Sequence, residues 1–265
     1  MKKIVAVFFT TSLIALFSLV SCDDKNEMTN EKMSLDVAAS YIQLAAVGIG
    51  NITFDWGDDT KTETFVLSNV MSNYSHKYQS GSKHTIKITG RVTSFYSGHF
   101  EIDGSSITNQ ISALDASNNS ALQKLDCSDN QITQIDVSKC TELTDLACWC
   151  NQLTTLNLND NKALIYLRCW QNKLTKLDVS NNKMLIMIGC GENKITKLDM
   201  SNNLKLKELY CDKNSLTHME LNNLFETLHS DTVSVKGKFI SISDNPGSRF
   251  CTDEIAKKKG WTVYK

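Results

Sequence analysis

The sequence has no excess of charge of either sign. Its 265 residues carry 28 lysines and arginines against 29 aspartates and glutamates, a formal net charge of −1. A nucleic-acid-binding surface needs clustered positive charge, so this balance argues against a nucleic-acid partner. After residue 20 the chain also lacks any apolar run near the ~20 residues that a membrane-spanning helix requires. Beyond the N-terminus, the sequence therefore predicts no membrane-crossing helix.

Histidine is scarce and scattered. The five histidines are His76, His84, His99, His218 and His229. They show neither the spacing of a nucleophile with its base nor the ligand spacing of a zinc site. We therefore expect no catalytic residue, no metal and no cofactor, and interpret the chain as a binding or scaffolding protein and not an enzyme.

Residues 1–21 have the pattern of an export signal. Lys2 and Lys3 precede an apolar run over residues 4–19, and the run ends in Leu-Val-Ser before Cys22. This ending resembles the lipobox of bacterial lipoproteins, which implies that Cys22 becomes a lipid-modified N-terminus. The alternative is an ordinary signal peptide followed by a chance cysteine.

Residues 22–33 are predicted to be a solvated tether, because their charged and polar side chains cannot form a core. Asp23, Asp24 and Glu27 follow the anchor cysteine. An acidic stretch at this place resembles the surface-export signals of some Gram-negative lipoproteins. The resemblance implies a chain held by lipid alone at the outer membrane or cell surface of a Gram-negative bacterium.

A period of 21 residues runs through residues 109–221, and it dominates the sequence. Cysteine recurs at one position of the period and asparagine recurs three residues later. The two columns are Cys127, Cys148, Cys169, Cys190 and Cys211, and Asn130, Asn151, Asn172, Asn193 and Asn214. Further apolar columns share this register, among them Leu125, Leu146, Leu167, Ile188 and Leu209; Ile135, Leu156, Leu177, Leu198 and Met219; and Val137, Leu158, Val179, Met200 and Leu221. No helical bundle would produce this pattern.

One coil reads L-x-x-L-x-C-x-x-N-x-[LI] and resembles the leucine-rich repeat, of the 21-residue kind found in internalins, with cysteine where leucine commonly stands. The resemblance implies a mainly β solenoid with parallel ladders over residues 99–250. Alternation in Leu125-Asp126-Cys127 predicts a first strand with one buried face, and Ile135-Asp136-Val137 predicts a second strand on the opposite wall. In the family the asparagine turns inward and bonds backbone groups at the bend.

The cysteine column has two interpretations, core packing or redox chemistry. Side chains at equivalent positions of stacked coils run parallel, a geometry that suits a disulfide poorly, so core packing is favoured. Cys140, Cys150 and Cys251 lie outside the column. A disulfide among these three stays open in an oxidising compartment, and the sequence does not assign its pairing.

Residues 251–265 are the predicted C-terminal cap of the solenoid, because an uncapped coil exposes core and strand edges. A short helix is expected over residues 252–259, begun by Thr252 as its cap and ended near Gly260. Alternating Trp261, Val263 and Tyr264 predict a terminal strand.

Residues 34–98 lack the period and predict a small β-sandwich. The segment Phe54-Asp55-Trp56-Gly57-Asp58-Asp59-Thr60, with Tyr74-Ser75-His76-Lys77-Tyr78 after it, resembles the polycystic-kidney-disease-type domain. The resemblance implies a core tryptophan, a tight turn and a spacer role; Asp59 stands where the family usually has glycine. The aspartates could suggest calcium, but turn residues bonding their own backbone are the favoured interpretation.

Residues between the buried positions of the first strand must point away from the core, on the face that commonly binds ligands in the repeat family. The three outward columns are Lys124, Asp145, Tyr166, Met187 and Glu208; Asp126, Ala147, Arg168, Gly189 and Tyr210; and Ser128, Trp149, Trp170, Gly191 and Asp212. The candidate ligand-binding residues among them are Trp149, Trp170, Tyr166, Arg168, Tyr210, Asp145, Glu208 and Asp212. Exposed aromatics ringed by charge are typical of protein-binding hot spots.

The same two tryptophans leave other interpretations open. They could shield the sheet or lie beneath the N-terminal module. Stacked indoles could also hold sugar rings. The leading hypothesis is therefore adhesion or protein binding at the cell surface, and the alternative is a glycan-capturing lipoprotein that serves nutrient uptake.

Overall fold

The computed structural model describes residues 31–102, 105–231 and 235–265. The predicted signal, Cys22 and most of the tether lie outside these described residues. The N-terminal part forms β1 (Lys32–Val37), β2 (Tyr41–Asp55), β3 (Glu63–Val66), β4 (Ser72–Lys77) and β5 (His84–Tyr96). A hairpin follows, made of β6 (Phe100–Ile102) and β7 (Ser105–Ile107).

The repeats form a parallel ladder of short strands. The remaining strands are β8 (Ile111–Asn118), β9 (Lys124–Asp126), β10 (Gln134–Asp136), β11 (Asp145–Ala147), β12 (Tyr166–Arg168), β13 (Met187–Gly189), β14 (Glu208–Tyr210), β15 (Phe239–Ser241) and β16 (Thr262–Tyr264). From β9 to β14 the strands pair in parallel, and residues 21 apart in sequence lie opposite each other. The predicted mainly β, leucine-rich-repeat solenoid is thus confirmed.

The second wall is less regular than predicted. Only β10 forms a strand there, and it pairs in parallel with β8. In later coils the equivalent residues, 156–158, 177–179 and 198–200, form no strand, and a turn follows them. At that turn Asp178 accepts a bond from the Ser180 amide and Asp199 accepts one from the Ser201 amide. The same turn follows β10, where Asp136 accepts the Ser138 amide, so it ends this wall whether or not a strand precedes it.

The N-terminal module is joined to the solenoid by strand pairing. The end of β5 lies parallel to β9, with Phe95 opposite Leu125, and so forms the first rung of the ladder. Strand β1 runs antiparallel between β5 and β8, and thereby links the two walls. It begins at Lys32, two residues before the predicted start of the module. One continuous cluster of buried side chains extends from Met33 to Trp261. The module therefore covers the first coil, whose edge would otherwise be open.

A stack of rings fills the module. Trp56 is 1% exposed and lies parallel to Phe54 and to His76, with ring centroids 4.8 and 4.9 Å away. Its Nε1 donates to Glu63. The turn after it places Asp59 at φ +61°, a left-handed conformation that aspartate tolerates better than most residues. That tolerance allows the turn to form without a glycine at position 59.

The asparagine column is buried and holds the corners together. In Asn151, Nδ2 donates to the carbonyls of Cys127, Cys148 and Trp149, and Oδ1 accepts the amide of Ile132. The same contacts recur coil after coil. The residue before each asparagine from Asn130 to Asn245 is left-handed, with φ between +50° and +57° at Asp129, Cys150, Gln171, Glu192, Lys213 and Asp244; at Asn109 the left-handed residue is Gln110, which follows it. Each asparagine thus satisfies backbone groups that the strained corner leaves unpaired.

The column continues into the flanking coils at both ends. Asn109 bonds both the amide and the carbonyl of Gln43 in β2. Asn245 accepts the amides of Asn214 and Leu216 at the other end. Asn109 therefore carries the corner motif into the N-terminal module, and Asn245 carries it into the last coil.

The five cysteines of the column are 0% exposed and free. Burial raises the pKa of the Cys148 thiol and of the Cys190 thiol to about 12, with the negative charges of Asp126 and Asp212 adding to the effect. Cys140 is also buried and free; its thiol donates to the carbonyl of Ala116, at the position where other coils carry a buried asparagine. Cys150 is half-buried and free.

The last coil contains an insertion that the sequence analysis missed. Leu209 pairs with Ile240, and Asn214 bonds to Asn245, 31 positions along the chain. The insertion contains helix α1 (His218–Thr227), which is ten residues long. The prediction that Met219 and Leu221 continue the repeat columns is therefore wrong. Both lie on α1, and Met219 is 64% exposed.

The C-terminal cap differs from expectation at its helix. Helix α2 covers Glu254–Lys258 and is preceded by Asp253, not by Thr252. The Thr252 amide instead donates to Asn222 on α1. Lys238 is 2% exposed beneath the cap, and its ammonium donates to the carbonyls of Asp231 and Lys259. The ammonium thus supplies hydrogen-bond donors to carbonyl groups that converge at the end of the solenoid.

Candidate binding face of the repeat ladder

The outward face of strands β9 to β16 brings the predicted candidate residues onto one surface. Backbone pairing sets Asp145, Tyr166 and Met187 side by side, and Ala147, Arg168 and Gly189 in the next column. Tyr166 and Tyr210 are each 37% exposed. We call the set Asp145, Trp149, Tyr166, Arg168, Trp170, Glu208, Tyr210 and Asp212 the ladder face.

The two indoles at its centre stack on each other. The ring centroids of Trp149 and Trp170 are 5.8 Å apart, with 17° between the ring planes. Both side chains are half-buried. A Cβ added at Gly189 would lie 2.6 Å from Cε3 of Trp170, so the indole lies directly over that glycine. The tryptophans therefore shield part of the sheet and still present surface to solvent.

A charged pair stands beside the indoles. Nη1 of Arg168 is 2.7 Å from Oδ1 of Asp145, one coil away, and both side chains are partly buried. The guanidinium also lies 5.6 Å from the ring centroid of Tyr166. An arginine held by a carboxylate and by an aromatic ring loses little freedom when it binds a partner. The other N–H groups of the Arg168 guanidinium are therefore already oriented before a partner binds.

Burial raises the pKa of two acidic side chains next to this pair, Asp126 and Tyr96. Burial raises the pKa of Asp126, although hydrogen bonds from Ser128 and the charge of Arg168 oppose the shift. Burial also raises the pKa of Tyr96 on the preceding rung, and the negative charges of Asp145 and Asp126 add to it. The ladder face therefore has a polar, partly desolvated edge beside its aromatic centre.

The ladder continues to the C-terminus through β15 and through β16, the terminal strand that the alternation of Trp261, Val263 and Tyr264 predicted. Tyr210 contacts Phe239 edge to face at 5.1 Å, and Phe239 contacts Tyr264 at 5.8 Å. Tyr264 is 55% exposed. The insertion that carries α1 moves Phe239 out of the 21-residue period, and β15 nevertheless pairs with β14 in the register of the ladder.

The remaining candidates lie at the edges of the face. The hydroxyl of Tyr210 donates to Glu208 at 3.4 Å, and burial and the Glu208 charge raise the pKa of Tyr210. The Asp212 carboxylate lies against Gly191. No group of three or more histidine, cysteine, aspartate or glutamate side chains in the described ranges is arranged to hold a metal ion.

The similarities of this chain to known proteins are to solved structures. No protein-family model matches the sequence, and no curated protein matches it. Among solved structures, it is similar to the functional domain of InlJ from Listeria monocytogenes, described as including a cysteine ladder, with 27% identity over 68% of this chain and 50% of that one and a TM-score of 0.40. It is also similar to the internalin InlF from Listeria monocytogenes, with 24% identity over 56% of this chain and 42% of that one and a TM-score of 0.44.

A third similarity is to a leucine-rich-repeat protein of Leptospira interrogans, with 20% identity over 56% of this chain and 44% of that one and a TM-score of 0.43. The chain thus spans half or less of the length of each of these three proteins. No helix in the described part of this chain is long and apolar enough to cross a membrane.

Proposed function

We propose that this protein is a surface-displayed binding module that contacts a protein partner through the ladder face, and that it is not an enzyme. The observation that carries the proposal is the pair of stacked, half-exposed indoles beside the Arg168–Asp145 pair. Aromatic and arginine side chains held in place by neighbours give large contact area at small entropic cost. Adhesion is the role that suits such a face at a cell surface.

The display part of the proposal rests on the sequence. Cys22 would carry a lipid anchor, the residues between it and β1 would supply the tether, and the N-terminal module, which begins at Lys32, would act as a polycystic-kidney-disease-like spacer below the solenoid at 99–250 and its cap at 251–265. The site of display is the outer membrane or cell surface of a Gram-negative bacterium. Nucleic acid and cofactors have no part in the proposal.

Glycan capture is the alternative, and the indole geometry makes it the weaker one. Sugar rings stack on free aromatic faces. In this protein Trp149 and Trp170 turn faces toward each other, and Trp170 also covers Gly189. Ring edges are left for contact, which favours a protein surface that supplies side chains between them.

The test is capture of partners from host or envelope extract by the mature chain, followed by binding measurements with each purified partner. Trp149→Ala with Trp170→Ala should reduce affinity by at least tenfold, in line with the ~2 kcal/mol that defines a hot spot. The matched control is Met184→Ala with Leu204→Ala, which removes two exposed apolar side chains outside the ladder face. Unchanged binding by the tryptophan variant would refute the proposed site.

A glycan array distinguishes the alternative. Saturable sugar binding that depends on the tryptophans would support glycan capture and contradict protein binding as the main role. Hydrolase activity that persists through purification would contradict the classification as a non-enzyme.

A further inference from the structure

The N-terminal module has a protruding corner with exposed apolar side chains. Strands β2 and β5 lose register there, with Ile49 opposite Arg91 but Thr53 opposite Thr89. The extra residues of β2 bend outward around Gly50, at φ +80°. Across the bend, Gly90 has φ +150°, and a Cβ at that position would lie 2.5 Å from the carbonyl oxygen of Asn51. Both glycines are thus required by the shape of the corner.

Four large apolar side chains cover the outside of this bend. Ile49 is 67% exposed, Val66 76%, Val70 68% and Met71 48%. We call these four residues the corner patch. Val66 pairs with Asn51, two residues from Ile49, so alternation puts Val66 and Ile49 on the same face of the sheet. Leu67 points the other way and is buried. The exposed apolar residues thus lie on one face of the sheet, while the opposite face is packed.

The segments that build the corner patch carry a single charged side chain, and the carboxylate of nearby Glu31 accepts a bond from Ser120. Residues 47–53, 65–72 and 89–93 build the corner, and Arg91 is the sole charged residue in these three segments. Most single exposed apolar residues need no explanation, but a contiguous exposed group of large apolar side chains commonly marks a contact surface. An apolar group beside an arginine matches the boundary between the acyl chains and the phosphates of a bilayer.

The point at which the N-terminal segment enters the fold indicates that the corner patch contacts a membrane. The amide of Gly90 donates to the carbonyl of Glu31, so the described chain enters the fold across β5 from Ile49. Eight residues separate Cys22 from Glu31, and a chain of that length reaches at most about 30 Å. A lipid on Cys22 would therefore hold the corner patch within reach of the membrane.

We infer that the corner patch lies in the surface of the bilayer and fixes the orientation of the solenoid relative to it. The inference rests on the lipid anchor of the proposed function. Ile49, Val66, Val70 and Met71 enter the boundary of the acyl region, and Arg91 contacts lipid phosphate. The lipid anchor attaches the protein to the membrane, and the corner patch determines how the solenoid is oriented relative to the bilayer.

The experiment uses the lipidated mature chain in vesicles of phosphatidylethanolamine and phosphatidylglycerol. An environment-sensitive fluorophore is attached at Val66→Cys in a Cys150→Ser background, which removes the half-buried native thiol. The matched control carries the label at Leu204→Cys, which is 61% exposed on the solenoid. Nitroxide-bearing lipids should reduce emission about twofold at position 66 and leave position 204 unchanged. Adding Ile49→Glu and Val70→Glu should abolish the quenching.

Three outcomes would contradict the inference in different ways. If the chain floats with vesicles and position 66 is not quenched, the corner patch does not meet lipid, although the anchor stands. If the chain fails to float with vesicles, the anchor of the proposed function is itself wrong. If the chain forms dimers that Val66→Glu disrupts, a second copy covers the corner patch in place of lipid.

Discussion

Trp170 lies over Gly189, the residue that occupies the adjacent position on the next rung of the ladder. The indole has this place because position 189 carries no side chain. A methyl group there would lie 2.6 Å from the ring, closer than side-chain atoms come, and the backbone around position 189 belongs to a paired strand that cannot move away. The shape of the ladder face therefore depends on a residue that contributes no contact atoms of its own.

Gly189→Ala is predicted to displace Trp170 and to disturb its stacking with Trp149. Overpacking of this kind typically costs about 1–3 kcal/mol of stability. The measurement is tryptophan fluorescence together with denaturant unfolding. Gly81→Ala is the control, because a Cβ at Gly81 meets no atom within 4 Å. Equal stability and unchanged fluorescence in both variants would contradict the role given to Gly189.

Asn172→Ala is predicted to destabilise the protein by about 1–3 kcal/mol, since a buried carbonyl or amide without a partner costs that much. Asn172 donates to the carbonyls of Cys148, Cys169 and Trp170 and accepts the amide of Leu153. The measurement is the urea midpoint. Asn181→Ala, at an exposed position, should leave it within error. A loss shared equally by both variants would show that helix or turn propensity, and not the corner bonds, sets the cost.

Asp58→Asn is predicted to reduce stability near neutral pH and to lose its effect in acid. Burial opposes ionisation of Asp58, but bonds from Thr60 and His76 prevail and lower its pKa from 3.8 to about 2. A carboxyl with a lowered pKa in the folded state stabilises the protein above pH 3.8, and the stabilisation is lost as pH falls from 3.8 toward 2. Unfolding curves from pH 2 to 7 test this. A difference between wild type and variant that persists unchanged at pH 2 would contradict it.

Thiol labelling of the folded protein is predicted to modify Cys150 first. The ladder cysteines are fully buried, and burial raises the pKa of each of their thiols. Cys150 is half-buried; burial and the Asp129 charge raise its pKa too, so its labelling should accelerate as pH rises through and above 9. Mass spectrometry of the labelled peptides reports the order. Labelling of Cys169 as fast as Cys150 in the native protein would show that the core opens locally.

The solenoid could be predicted from sequence because one residue type recurs at each position that packing constrains. A leucine, a cysteine and an asparagine every 21 residues are enough to set the strand, its buried face and its corner. Cys140 shows the limit of such pattern matching, since its thiol replaces a buried asparagine by donating to a carbonyl at the same place.

The C-terminal coil could have been predicted better than it was. Thr217 and Glu220 form the start of a helix, with the Thr217 side chain accepting the Glu220 amide, and Leu221, Leu224 and Phe225 follow at helical spacing. The fixed period obscured this signal, because Met219 and Leu221 also matched the repeat columns. An apolar residue at a single position satisfies both patterns, so neither residue type could decide between strand and helix.

The candidate face was harder to predict than the fold. Outward positions of a strand are free of packing constraints, so sequence identifies which residues point outward but not how they lean. The Trp149–Trp170 stack, the Arg168–Asp145 pair and the continuation to Tyr264 all depend on contacts between coils. The pairing of β5 with β9 could not be predicted from the 21-residue period, because β5 belongs to the module and does not carry the repeat motif.

Left-handed corners at one place in every coil have a consequence for how the protein can change length. Each rung starts and ends in the same backbone conformation, so a whole 21-residue unit can be removed or duplicated without altering the ones beside it. One such event would move the C-terminal cap by a single strand spacing, about 4.8 Å, relative to the N-terminal module. The number of repeats therefore sets the distance between the N-terminal module and the C-terminal cap, and each added or lost repeat changes that distance by the same amount.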